Sequence, residues 1–180
     1  MWGPESPGEL LEWLEGQDLP VLSWGVGGAK TLDDLWHEIE SGEATLLEDP
    51  PRRRVEVVTL GIRRDGEVLT ETVQLMAGGT VRRRDRPPAE KMRPGETVTG
   101  AALRCVVEEL GADGPDVVVD PDSVSTTVEW LSSPSYPGLR TEYVFHAVDV
   151  DVPGLPVSDF WTREKGDGTV VAHLWGWRQP

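Results

Sequence analysis

The sequence predicts a mixed α/β fold: a mixed β-sheet flanked by helices, with an acidic helical extension over residues 1–50 ahead of a strand-rich body over 51–180. Three observations predict it. Capped segments of helical period fill the first fifty residues, β-rich runs bounded by turn residues dominate from Val55 onward, and one capped amphipathic helix interrupts those runs near mid-chain. At 180 residues and 38% apolar content, the chain suffices for one compact core with an appended segment and is too short for two full domains.

Ser6-Pro7-Gly8-Glu9 reads as a capping box with proline at the first helical position, and Leu10, Leu11 and Trp13 continue it as a short helix to about Glu15. Leu19 to Trp24 reads as extended, before the turn Gly25-Val26-Gly27-Gly28. Thr31 caps a second helix through about Ser41, with Leu32, Leu35, Trp36 and Ile39 at helical spacing. The run from Gly25 to Thr31 does not register as a phosphate-binding P-loop, because Trp24 and Ala29 stand where its glycines are required; Lys30 alone is kept as a phosphate candidate. Pro50-Pro51 then separates helices from strands.

Val55 to Ile62 and Val68 to Met76 read as strands joined through Arg63-Arg64-Asp65-Gly66, whose Asp-Gly pair is a hairpin signal. Gly78-Gly79 turns into a short strand at Thr80 to Arg84, and Arg86-Pro87-Pro88 opens a loop carrying Glu90 and Lys91. A helix follows over about Thr99 to Leu110, capped by Thr97 or Thr99 and closed by Gly111 in the left-handed conformation. Val117 to Val119, Val124 to Leu131, Thr141 to Val150 and Thr169 to Trp177 complete the strands.

The mid-chain helix carries the chemistry. Its spacing is Glu96, seven residues, Arg104, then Glu108, Glu109 and Gly111. On a helix Arg104 lies one turn from Glu108, and Cys105 one turn from Glu109, so two adjacent rows carry a cation, a thiol and paired carboxylates. Carboxylates beside an arginine suit a hard divalent cation holding a phosphate. Carboxylates in a last turn also oppose the helix dipole, which weakens the reading of an ordinary solvated helix end.

Residues 90–112 resemble the Nudix box: Gly, five residues, Glu, seven residues, Arg-Glu, an aliphatic, any residue, Glu-Glu, any residue, Gly, an aliphatic. Glu96, Arg104, Val106, Glu108, Glu109 and Gly111 fall in register, while Glu90 replaces the first glycine and Cys105 the glutamate after arginine. The resemblance implies a Nudix-like α/β/α sandwich, Mg²⁺ or Mn²⁺ as cofactor, Glu108 and Glu109 as metal ligands, and Arg104 bracing Glu96. Glu108, Glu109 and Arg104 are thereby the expected catalytic group, and Glu96, Gly111 and Cys105 structural positions. A thiol is a soft ligand ill-suited to Mg²⁺, so Glu90 is a candidate to supply the carboxylate that Cys105 does not. A further acid from a later strand or loop often completes such a site, and Glu129, Glu142 and Glu164 are the candidates.

A net charge of −15 disfavours nucleic acid and anionic membrane as partners. The charge is uneven: residues 51–104 hold twelve bases against seven acids, including Arg52-Arg53-Arg54, Arg63-Arg64, Arg82-Arg83-Arg84 and Arg86. That concentration suits a phosphorylated small molecule gripped by guanidinium forks. Cys105 is the single cysteine, which excludes an intramolecular disulfide and a cysteine-based zinc site and makes a reducing, cytoplasmic setting the expectation. Met1-Trp2-Gly3-Pro4-Glu5 has no signal-peptide character, and no apolar run reaches a membrane span.

His146 and His173 are candidate acids or bases, and Trp175, Trp177, Trp161, Phe160 and Tyr136 could line an apolar pocket for a flat group, although core packing explains them equally. The expected function is divalent-metal-dependent hydrolysis of a nucleoside-diphosphate-linked or related pyrophosphate. The alternative is a non-hydrolytic ligand-binding or repurposed biosynthetic protein of the same fold with a degenerate metal site. The acidic N-terminal helices are open to covering an active-site edge or to a homodimer contact.

Overall fold

A computed structural model describes residues 3–112, 114–164 and 170–180. In chain order its elements are α1 (Pro7–Gly16), α2 (Leu32–Glu40), β1 (Thr45–Leu47), β2 (Arg52–Gly61), β3 (Arg63–Arg64), β4 (Glu67–Met76), β5 (Val81–Arg86) and β6 (Ala89–Lys91). The chain continues through α3 (Val98–Leu110), β7 (Val118–Val119), β8 (Ser125–Ser132), β9 (Arg140–Asp151), β10 (Phe160–Arg163) and β11 (Val170–Arg178), with short 3-10 turns at Val21–Ser23 and Pro121–Ser123. The strands form two sheets, and with the helices they make the mixed α/β fold that the sequence predicts. Among the described residues no helix is long and apolar enough to cross a membrane.

The chain divides into two compact units. One takes the residues up to Val57 with Lys91–Gly95 and Thr127–Phe145; the other takes Val58–Glu90, Glu96–Thr126 and His146–Pro180.

In the first unit, Leu10 and Leu14 of α1, Leu35 of α2, Leu46 of β1, Trp24, Tyr136 and Leu139 form one buried cluster. Ser6 caps α1 by accepting from the Glu9 amide at 3.2 Å, while the Glu9 carboxylate takes the Glu5 amide at 2.8 Å, one residue earlier than the box expectation. Thr31 and Asp34 make a complete capping box on α2. Leu19 to Trp24, expected to be extended, contains a 3-10 turn instead, because the Ser23 and Trp24 amides turn back onto Pro20 and Val21. Glu38 is buried against Arg53 and also meets Lys30 at 2.9 Å and Lys91 at 3.0 Å. Burial opposes its charge, but these cations hold the carboxyl down to about 2. Lys30, kept above for a phosphate, is therefore engaged by Glu38.

In the second unit, a five-stranded antiparallel sheet runs β10-β11-β4-β3, with β5 also pairing β4. Asp65 and Gly66 take φ of 50° and 83° and close a tight hairpin, but between β3 and β4 rather than directly from β2. A one-residue break at Ile62 separates β2 from β3 and lets the chain change sheets. Strands β1 and β10 are additions to the sequence reading; Thr169, expected to begin the last strand, lies outside the described residues. Glu90 belongs to strand β6, not to a loop, because β6 pairs β2.

Candidate functional site

Helix α3 owes both ends to local chemistry. Thr97 accepts the Gly100 amide at 3.0 Å, and Gly111 takes φ 63°, a conformation costly for a residue with Cβ, so that its amide can reach back to the Val106 carbonyl. Ala101, Ala102, Cys105, Val106 and Leu110 form the buried face. That seating directs the functional side chains into two adjoining groups.

The first group is built on Arg104. Its Nε and Nη2 donate to the two oxygens of Glu96, each at 3.0 Å, and its Nη1 donates to Glu108 at 2.8 Å. Glu90 comes within 3.8 Å of the same Nη1. The fork on Glu96 and the contact with Glu108 raise the guanidinium pKa above its ordinary value, so Arg104 is a permanent cation among three carboxylates.

The second group gathers around His173 of β11, whose ring stacks on Trp175 at 5.8 Å between centroids. His173 Nδ1 meets Glu71 of β4 at 2.5 Å, and Nε2 meets Glu164 at 2.7 Å and Glu109 of α3 at 3.7 Å. Glu71 in turn accepts from Arg84 of β5 at 3.0 Å. Ligand atoms of Glu109, Glu164 and His173 all lie within 4.8 Å of one another. Burial opposes a charged imidazole, yet the contacts with Glu71 and Glu164 win and hold His173 up at about 9. Burial raises Glu109 to about 7; His173 opposes the shift, and Glu164, Glu90 and Glu71 add to it. Glu71 lies below its ordinary value, since His173 and Arg84 overcome the effect of its burial.

Cys105 sits one turn before Glu109 and is fully buried. Burial first, then the Glu109 and Glu90 carboxylates, pushes its thiol well above the ordinary range. Its place is that of a packing residue, where burial disfavours the thiolate that a metal needs.

Of the acids proposed from sequence, Glu164 joins Glu109. Glu142 is buried in the first unit, where it pairs with Arg52 at 2.9 Å and Arg54 at 2.8 Å, and Glu129 is exposed on β8 of that unit. His146 Nδ1 hydrogen-bonds Thr126 at 3.0 Å. The aromatic group is dispersed: Trp175 backs His173 and donates to Thr162, Trp177 stacks with Arg64, Trp161 is half exposed, and Tyr136 lies in the first unit against Trp24. Sequence reasoning missed Glu71. A charged residue inside the otherwise β-rich run Leu69-Thr70-Glu71-Thr72-Val73 was the available signal, because such a position is buried only when paired.

No family model matches the chain, and no curated protein sequence matches it. Among solved structures, the chain is similar to a Nudix hydrolase. That protein, from Nitrosomonas europaea, shares 21% identity over 67% of this chain and 70% of its own, with a TM-score of 0.45. An Ap4A hydrolase from C. elegans shares 16% identity over 69% of this chain and 79% of its own, at 0.38. The E. coli ORF135 protein shares 20% identity over 76% and 79%, also at 0.38.

Proposed function

We propose that the chain is a divalent-metal-dependent hydrolase of a nucleoside-diphosphate-linked or related pyrophosphate compound. The observation that carries this reading is the convergence of Glu109, a box position, with Glu164 and His173 from elsewhere in the sequence. Carboxylate oxygens and an imidazole nitrogen fit a divalent cation, and Glu164 with His173 makes good the carboxylate lost at Cys105. In this reading Glu108 and Glu90, gathered by Arg104, are the flanking metal carboxylates, and the Glu96–Arg104 fork holds the loop before α3 in place. A bound Mg²⁺ or Mn²⁺ supplies charge neutralisation at phosphorus and a water of lowered pKa. Burial first, then the neighbouring Arg84 and Arg86, lowers the pKa of the Arg82 guanidinium, and this row of β5, reaching Glu71 through Arg84, supports binding of an anionic phosphoryl group on that side.

A second reading, a non-hydrolytic ligand-binding or repurposed biosynthetic protein with a degenerate metal site, has its own support. Cys105 is a buried packing residue where the box has a carboxylate, and Arg104 and His173 already neutralise the neighbouring acids. We also propose a small phosphorylated molecule rather than nucleic acid as partner, a cytoplasmic setting, and residues 1–50 as an extension of a Nudix-like domain at 51–180. The two functional readings separate on turnover. A panel of nucleotide sugars and dinucleotides, assayed for P–O–P cleavage with Mg²⁺ or Mn²⁺ and again with chelator, should show cleavage that chelation abolishes; binding of a panel member without cleavage under any metal selects the second reading.

A further inference from the structure

We propose that His173 is itself a metal ligand through Nε2, held in place by Glu71, and that the Glu109–Glu164–His173 site selects a transition cation, Zn²⁺ or Mn²⁺, over Mg²⁺. The inference rests on the reading above that a divalent cation binds here.

The two ring nitrogens of His173 have different surroundings. Nδ1 is fixed at 2.5 Å from Glu71 Oε1, and the other Glu71 oxygen is fixed at 3.0 Å from Arg84 Nε, so the anchor is secured from outside the ligand cluster. Glu71 and His173 are both buried, and the imidazole lies on Trp175, which is tied to Thr162 by its indole N–H at 2.8 Å. Cross-strand pairing sets His173 between Thr162 of β10 and Gln74 of β4. The ring therefore has little freedom, and Nε2 faces the Glu109 and Glu164 oxygens at 3.7 and 2.7 Å. A carboxylate behind one imidazole nitrogen fixes the ring and raises the basicity of the other as a ligand.

The donor set decides the cation. Mg²⁺ favours six oxygens in a strict octahedron, whereas an imidazole nitrogen suits first-row transition ions and Zn²⁺. Cys105 is fully buried and is not among the converging ligand atoms, so among the described residues His173 is the nitrogen or sulfur donor of this group. Glu71 is a positioning residue in this arrangement: it acts on the metal only through the ring.

Calorimetric titration of the whole, metal-stripped chain with Zn²⁺, Mn²⁺ and Mg²⁺, paired with ring-¹⁵N spectra of its three histidines, tests this. Most mixed nitrogen and oxygen sites bind Zn²⁺ more tightly than Mg²⁺, so the deciding result is which histidine responds. We expect Zn²⁺ or Mn²⁺ to bind at least about tenfold more tightly than Mg²⁺, with Zn²⁺ shifting the Nε2 resonance of His173 and leaving His37 and His146 unmoved. Glu71→Gln should weaken Zn²⁺ binding by about 10- to 100-fold, and His173→Gln should narrow the preference over Mg²⁺. Cation binding with the His173 ring unmoved, or a shift at His37 or His146 instead, overturns the inference and leaves a metal-dependent site standing. Failure of all three cations to bind overturns both.

Discussion

Cys105 and Glu109 share one row of α3 and have opposite fates, because the row passes from the helix's packed face to the edge of the His173 group. At Cys105 the surroundings favour a neutral atom. A glutamate there would sit among Glu109 and Glu90, so Cys105→Glu should lower the Tm of the metal-free protein by several degrees, and millimolar Mn²⁺ should recover part of the loss. A Tm unaffected by the substitution would mean that the position is not buried against those acids. His173 gives a pH dependence of defined sign. Its folded pKa of about 9 stands above its ordinary 6.5, so its contribution is complete below pH 6.5 and disappears as pH rises through 9. Glu109, raised from 4.5 to about 7, also loses its contribution with rising pH, between those values. Glu38, depressed to about 2, loses its contribution only in acid and is silent in this window. Urea unfolding of the metal-free chain should therefore show lower stability at pH 9 than at pH 6, and Glu71→Gln should flatten that slope; a stability that rises over the interval contradicts the account.

At the scale of elements, legibility followed the range of the interactions that decide each one. The ends of α3 were readable because Thr97 and Gly111 act within a single turn, and Asp65-Gly66 marked its hairpin for the same reason. Strand β6 was not readable. Pro87-Pro88 suggests a loop, but the Pro88 carbonyl accepts the Leu60 amide at 2.8 Å and the Met92 amide donates to the Glu56 carbonyl at 2.9 Å, contacts that no local pattern announces. The same limit hid Glu71 and β10, whose places depend on partners far along the chain. The helix closure makes its own prediction. Gly111→Ala forces a Cβ into the left-handed conformation and should cost about 1–2 kcal/mol in urea unfolding. If the variant matches the parent, the Gly111 closure is not what ends α3.

For the whole molecule, the sequence contains two levels of information about function. The box residues in register paired Glu96 with Arg104, and the structure contains that pair; Glu108, expected beside Glu109 as a metal ligand, lies on the same guanidinium instead of in the His173 group. Glu109 was legible as a candidate metal ligand, whereas the residues that converge with it were less sharply marked: Glu164 was one acid among three, and His173 one histidine among two. Choosing among them required the sheet that carries β4, β10 and β11 to one place. The N-terminal helices show the same division. Their caps and apolar faces were evident, but their partner residues Tyr136 and Leu139 lie about a hundred residues further along the chain. What ties both levels together is the proposal that Glu109 is the central carboxylate of a metal-dependent hydrolase. The most direct measurement is the rate of Mn²⁺-dependent P–O–P cleavage by Glu109→Gln beside that by the exposed control Glu129→Gln, with folding of both verified by circular dichroism. The account predicts a loss of at least about a hundredfold for Glu109→Gln and parental turnover for Glu129→Gln. Parental turnover in the folded Glu109→Gln variant would contradict it.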